Sequence, residues 1–461
     1  RTGALATTSA MPDTPAAPAL PLDRPALESA TLRALDLARG LGASDAEAEC
    51  SASVGQSVSV RLGEFETVEY NRDKALAVTV YFGQRRGNAS TSDLSADSIR
   101  RTVEAACAIA RHTAPDEAAG LPDAARLYRG EAPGLDLFHP WGLTVEEAIA
   151  AARETEAAAR AVDARITNSE GATVSSWDAD FVFANSLGFA GGFPSSRASI
   201  GCGVVATEGD SMQRDYWYSA ERDPARLEAA AAVGRRAGER AVRRLGARRV
   251  ATAEVPVLFE ASVAGSLVGH FVSAASGSSL YRRSSFLVDA AGKPVFSPLV
   301  TIAEEPHLPG AMGSCWFDGE GVATQPRRIV DAGVLTGYFL SSYSARKLGL
   351  ETTGNAGGSH NLVVAPGDED FAGLVRAMGR GLVVTELMGQ GVNPVTGDYS
   401  RGAVGFWVEG GEIRYPVEEV TIAGNLAQMY RAIAAVGRDV LVRGSRATGS
   451  ILVERMTVAG N

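Results

Sequence analysis

The sequence predicts an α+β fold in two domains: an N-terminal α/β domain whose mixed or antiparallel sheet is flanked by helices, and a β-rich C-terminal domain. Three observations predict it. Apolar and polar residues alternate along several early runs, the period of half-buried strands. Helical spacing with capping signals separates those runs. Glycine is abundant, 51 of 461 residues, and beyond residue 250 it punctuates one short strand-like run after another. The chain is 45% hydrophobic and 21% charged, an ordinary globular composition, and its length suits about two or three domains.

Residues 1–24 are rich in Ala, Pro and Thr and lack the apolar core of a signal peptide, so a disordered leader is expected. Residues 25–40 read as an amphipathic helix with Leu32, Leu35 and Ala38 on its apolar face. Strands are expected at 47–53, 57–62, 65–70 and 75–82; Val58, Val60 and Leu62 alternate with polar neighbours. Residues 88–93 read as a polar link, and Ser95 as the cap of a helix reaching 111. The Pro- and Gly-rich stretch 113–140 reads as an excursion or linker. Thr144 and Glu147 make a capping-box signal for a helix to 162. Further strands are expected at 164–175, 180–189 and 198–206.

Asp223-Pro224 opens another helix, ending near Gly246, with Val233, Ala237, Ala241 and Leu245 as its apolar stripe. This helix and its exit carry Arg235, Arg236, Arg240, Arg243, Arg244, Arg248 and Arg249. A solvated face is the plain reading; a patch for an acidic partner is the sharper one, and the chain's net charge of −10 favours the former. The domains are expected to divide at 248/249, giving 25–248 and 249–461. Next come a strand at 255–259 and a helix at 261–277, with Val263, Leu267, His270, Phe271 and Ala274 on one face and Gly277 as its stop. Hairpins follow at 328–335 and 404–415, short helices at 341–348 and 426–435, and a last strand at 451–458.

The acidic balance gives nucleic-acid binding no electrostatic support. No apolar run reaches the roughly 18 residues of a membrane span. Cys50, Cys107, Cys202 and Cys315 lie far apart, which suits free thiols in a reducing compartment, the cytoplasm. Phosphate-loop, nucleophile-elbow and dinucleotide fingerprints are all absent. Chemistry therefore falls to five histidines. His112 ends a helix, where a cation suits the dipole. His139 and His307 sit beside prolines in loops. His360 lies in a glycine-rich loop, and His270 on the inward face of the 261–277 helix. His270, His360 and Cys315 could together hold a metal, though nothing in their spacing requires it.

Three C-terminal stretches carry a family resemblance. They are Thr353-Gly-Asn-Ala-Gly-Gly-Ser-His-Asn361, the run from Val384 to Trp407 containing Gly-Gln-Gly-Val-Asn-Pro-Val-Thr-Gly-Asp-Tyr-Ser-Arg, and Tyr415-Pro-Val-Glu-Glu-Val-Thr-Ile-Ala-Gly-Asn-Leu426. With the closing Thr448–Gly460 stretch they resemble the TldD/PmbA family, in its PmbA (TldE) branch, over about residues 25–460. The resemblance implies one subunit of a heteromeric zinc peptidase acting on unfolded or modified peptides. In the TldD-type subunit, His-Glu-x-x-x-His on the corresponding helix and a later Cys bind the metal. Here the second His matches His270, the first falls on Gly265 and the Glu on Ser266, and no Cys follows Cys315. Positions five apart stand about 140° apart on a regular helix, so even the intact motif would need local distortion. The implied protein lacks catalytic and metal residues of its own. Zinc is expected in a TldD-type partner, and whether the chain forms a homodimer in the absence of that partner is left open by the sequence. Asn355, His360 and Arg401 are the substrate-cleft candidates. The family's association with modulation of DNA gyrase leaves a regulatory binding protein as the alternative.

Overall fold

The structure, a computed structural model, describes residues 20–131 and 134–460. The expected leader lies outside the described residues as far as position 19. Helix α1 (Arg24–Gly40) is capped by Asp23 and buries Leu27, Ala34, Leu35 and Ala38. Leu32, one step round the helix from Thr31, is exposed instead. The four short strands expected next are two long ones, β1 (Asp45–Arg61) and β2 (Glu64–Phe82), paired from Asp45 with Tyr81 to Arg61 with Glu64 with one register shift between Ser59 and Val60. The polar stretch that seemed to break the second is exposed strand, so the alternation vanishes while the ladder continues. Their turn places Leu62 and Gly63 at positive φ, and buried Glu156 accepts both turn N–H groups at 2.7 and 2.6 Å. The expected polar link is β3 (Arg85–Thr91), paired with Leu76–Phe82 of β2.

Helix α2 (Ala96–His112) follows its Ser95 cap, and α3 (Val145–Arg160) follows a complete capping box on Thr144 and Glu147. Then come β4 (Ile166–Asn185), β5 (Ala190–Gly191), β6 (Ser195–Glu208) and β7 (Ser211–Glu221). The strand β7 and the continuity of β4 are additions to the sequence reading. All seven strands make one antiparallel sheet, ordered β3-β2-β1-β4-β6-β7 with β5 on β4. One apolar core lies between this sheet and α1 and α2, a second between it and α3 and α4 (Ala230–Arg243). The helix expected from Asp223 is a single tight turn at Pro224–Arg226, then α4. Helices α3 and α4 touch backbone to backbone: a Cβ on Gly234 would stand 1.9 Å from the Thr155 carbonyl oxygen.

The C-terminal half has two six-stranded sheets. After β8 (Ala253–Phe259), α5 (Ala261–Ala274) stops short of Gly277, which starts α6 (Gly277–Tyr281). Next are β9 (Ile302–Glu304), the hairpin β10 (Arg327–Asp331) and β11 (Val334–Leu335), α7 (Ser342–Leu348) and β12 (Leu362–Val364). Helix α8 (Phe371–Met378), capped by Asp370, was not anticipated. The chain continues through β13 (Gly381–Met388), β14 (Asp398–Glu409) and β15 (Glu412–Asn425). It ends with α9 (Leu426–Arg431), β16 (Ile433–Val436), β17 (Leu441–Arg443), β18 (Arg446–Thr448) and β19 (Ile451–Ala459). The last helix is shorter than expected, because 433–436 pair with β19 instead. The sheets run β11-β10-β9-β12-β18-β17 and β15-β14-β13-β8-β19-β16, and Leu267 and Phe271 of α5 share one core with residues of both. No described helix is long and apolar enough to cross a membrane.

The arginine helix corrects the sequence reading most. Arg235, Arg236 and Arg243 are exposed, but Arg240 and Arg244 point inward, with side chains 12% and 2% accessible. Arg240 reaches Asp215 of β7 at 3.2 Å, Glu260 at 2.9 Å and the Thr385 carbonyl at 3.3 Å. Arg244 reaches the other oxygen of Asp215 at 3.1 Å and Glu386 of β13 at 2.5 Å. These bonds tie the N-terminal sheet and α4 to β8, α5 and β13. Replacing Arg244 with Ala leaves buried Asp215 to Arg240 alone and half-buried Glu386 to Arg214 alone, so it should cost about 3 kcal/mol, the low end for a broken buried pair. Urea unfolding measures it. Arg235→Ala, on the exposed face, should stay within about 0.5 kcal/mol of wild type.

Candidate functional site

Helix α5 starts where β8 leaves its sheet. The Glu260 N–H donates to the Val384 carbonyl at 3.0 Å, and the Ala261 N–H to Ser450 Oγ at 3.0 Å. With the Glu260 carboxylate held by Arg240, three elements fix the first turn. One face, with Ala264, Leu267, Val268, Phe271 and Ala274, is buried. The other carries Ser262, Gly265 and Ser266 and lines a cavity of about 350 Å³. Thr385 and Leu387 of β13, Arg401 of β14, Arg446 of β18 and Tyr216 of β7 close it.

Arg446 lies across the helix. A Cβ on Gly269 would stand 2.7 Å from its Nη1, which is 3.5 Å from the Gly265 carbonyl oxygen. Glycine at 269 is what lets the guanidinium approach this closely. His270 is half-buried, with its ring edge-on to Tyr399 at 5.9 Å and its Nε2 without a hydrogen-bond partner. Burial, and then Arg401 and Arg446, hold its pKa below the ordinary value, so the ring is neutral at neutral pH. A zinc ion needs three or four deprotonated N, O or S ligands. This face offers one imidazole, with glycine and serine at the neighbouring motif positions and two guanidinium groups that repel a dication. Among the described residues no group of three or more His, Cys, Asp or Glu side chains could hold a metal. The residues do not fit zinc.

The other candidates lie elsewhere. Asn355 is buried; its Nδ2 donates to Glu304 at 2.8 Å and to the Gly358 carbonyl at 3.0 Å. Its Oδ1 accepts from Arg327 at 2.9 Å and Thr353 at 2.7 Å, so the amide is spent inside the glycine-rich loop. His360 is also buried. Its Nε2–H donates to the Gly354 carbonyl at 2.8 Å, leaving Nδ1 to face Cys315 Sγ at 3.2 Å. Burial, with Asp318 and Glu304 nearby, pushes the Cys315 thiol up to about 12, so it is no thiolate nucleophile at neutral pH. Of the three groups weighed as a metal set, Cys315 and His360 meet, whereas His270 packs against Tyr399 beside the guanidinium groups of Arg401 and Arg446.

Sequence reasoning singled out Arg401, which lines the cavity beside α5, but not Arg446 and Arg443, which line it too. The two flank a turn at Gly444, and only the parallel pairing of β18 with β12 brings that turn to α5. Arg443 also borders a groove of about 890 Å³, walled by Gly55, Ser175, Trp177, Ser199, Tyr218 and Val442. Its guanidinium donates to the Tyr218 carbonyl at 2.7 Å and lies 4.2 Å from the Trp217 ring centre and 3.9 Å from that of Tyr218.

Comparison with known proteins follows the same outline. Models of the PmbA/TldA metallopeptidase match in three pieces: domain 1 over 46–110, the central domain over 138–245 and the C-terminal domain over 252–460. The metalloprotease PmbA of Escherichia coli is 48% identical over 95% of this chain and 97% of its own. A crystal structure from Bacteroides thetaiotaomicron, described as a candidate modulator of DNA gyrase, is 29% identical. It superposes with a TM-score of 0.89 over 94% of this chain and 99% of that one. TldE from Thermococcus kodakarensis shares the fold at 21% identity, with a TM-score of 0.82 over 94% and 100%.

Near the His360 cavity, Glu49 and Glu47 alternate on β1, and burial raises both. Glu47, beside Glu320 as well, is raised from 4.5 to about 7. The folded protein then keeps a proton that the unfolded chain releases. The stability this contributes is full below 4.5 and lost as pH rises through about 7. Glu47→Gln should flatten the fall in urea midpoint between these two values; an unchanged slope would contradict the assignment.

Proposed function

The chain belongs to the TldD/PmbA metallopeptidase family, in its PmbA (TldE) branch, and on that premise we propose that it is the non-catalytic subunit of a heteromeric zinc peptidase acting on unfolded or modified peptides. One observation carries the proposal. Where the catalytic relative has His-Glu-x-x-x-His, this chain has Gly265, Ser266 and His270, and Arg446 lies against the same helix. The carboxylate in the wall of the α5 cavity, Glu386, is engaged by Arg244 and Arg214. Ser266 stands where the relative's general base stands, so no free base is there to deprotonate water for hydrolysis. The TldD-type partner holds the zinc. This chain supports that partner and lines the substrate path with groove residues and sheet backbone, which suit an extended peptide.

Assembly has a visible candidate edge. Strand β3 covers only Leu76–Phe82 of β2, and over 64–75 no other described strand pairs with that outer edge. Phe65, Val68 and Tyr70 stand exposed along it. The four free cysteines suit the reducing cytoplasm we propose as its location. The competing reading, a regulatory protein binding a DNA-linked target, drew its support from the arginine helix. Arg240 and Arg244 of that helix are engaged in internal ion pairs, which favours the peptidase reading.

The purified chain should carry no stoichiometric zinc and no peptidase activity, and activity should appear on mixing with the TldD-type homologue. Metal analysis and a peptide-cleavage assay check this. Stoichiometric zinc and full activity in the isolated chain would overturn it.

A further inference from the structure

The cavity beside α5 is lined by more cationic than anionic side chains. Arg401, Arg443 and Arg446 all line it, and none forms an ion pair with any described residue. The carboxylate in its wall, Glu386, is already held by Arg244 at 2.5 Å and Arg214 at 3.3 Å. Donors are left over: Arg446 Nε and Ser266 Oγ are buried without hydrogen-bond partners. Arg401 donates from Nε to the Gly389 carbonyl at 3.0 Å. Half-buried guanidinium groups without counter-charge are costly, and their planar forks match a carboxylate in a bidentate way. The cavity is not isolated. Arg443 is common to it and to the longer groove, which has room for several residues of extended chain.

We propose that this cavity binds the C-terminal carboxylate of a peptide whose preceding residues lie in the adjoining groove. The guanidinium groups of Arg401 and Arg446 would hold the carboxylate where a catalytic relative holds its metal. Arg443, stacked on Trp217 and Tyr218, would stand at the junction between cavity and groove. The inference rests on the peptide-path part of the proposed function, but it needs neither the partner nor zinc.

The test is fluorescence anisotropy of the isolated full chain with an N-terminally labelled Ala-Leu-Ala-Gly-Leu-Ala peptide, as free acid and as C-terminal amide. The free acid should bind about tenfold tighter or more. Arg401→Gln and Arg446→Gln should each remove that preference and leave the amide's affinity unchanged. If Arg446→Gln fails to fold, Arg401→Gln carries the test. Inorganic phosphate shares the anion chemistry, so it serves as competitor. Phosphate binding as tightly as the free-acid peptide would reduce the cavity to a bare anion site and overturn the proposal. Equal binding of acid and amide would overturn it too, while leaving the partner-mixing experiment untouched. Failed activation of the partner would leave an acid preference standing.

Discussion

The structure depends on two buried arginines. Arg240 and Arg244 project from the last turns of α4 into the seam between the chain's halves, and meet Asp215 from one side and Glu260 and Glu386 from the other. Exposed pairs such as Arg100 with Glu104 are screened by solvent and contribute little. Buried ones differ. Each charge there is tolerable only because its partners are in place, so the network fixes position more than it adds stability. What it fixes is the start of α5, through Glu260, and the flank of β13, through Glu386 and the Thr385 carbonyl. Those two elements are walls of the candidate site.

Held this way, α5 keeps the place of a peptidase helix with its electrostatics reversed. A dication site concentrates negative or neutral donors. Here a neutral imidazole faces two guanidinium groups, and the residues that could have offered ligands are glycine and serine. Gly269 belongs to the same change, since its missing side chain admits the Arg446 guanidinium. The carboxylate binding and the lack of zinc that we propose would then be two consequences of one charge arrangement.

Local chemistry was legible in the sequence. The Thr144 box, the Ser95 cap, the hairpin at Gly410 and Gly411 and the identity of α5 all follow from nearest neighbours. Long-range pairing was not. Strand β2 reads as two strands because its middle is exposed, so no alternation marks it. Strand β7 alternates properly, but its inward residues are Gln213, Asp215, Trp217 and Ser219, mostly polar: Gln213 and Asp215 serve the seam, and Ser219 accepts the Glu228 N–H. Arg244 looked solvated for the same reason: its partners lie 29 and 142 positions away in the chain, out of reach of any local pattern. At the site, Arg401 sits in a recognisable motif, whereas Arg446 gains its meaning only when β18 pairs with β12.

The most direct measurement puts the missing motif back. A Gly265→His, Ser266→Glu double variant restores His-Glu-x-x-x-His on α5 without touching Arg401 or Arg446. Metal analysis after gel filtration in zinc-containing buffer then reads whether sequence or surroundings decide the site. The expected result is that stoichiometric zinc is not retained, because the guanidinium groups remain and no third ligand is supplied. Stoichiometric zinc in the double variant would contradict the reversed electrostatics on which the whole reading of α5 stands.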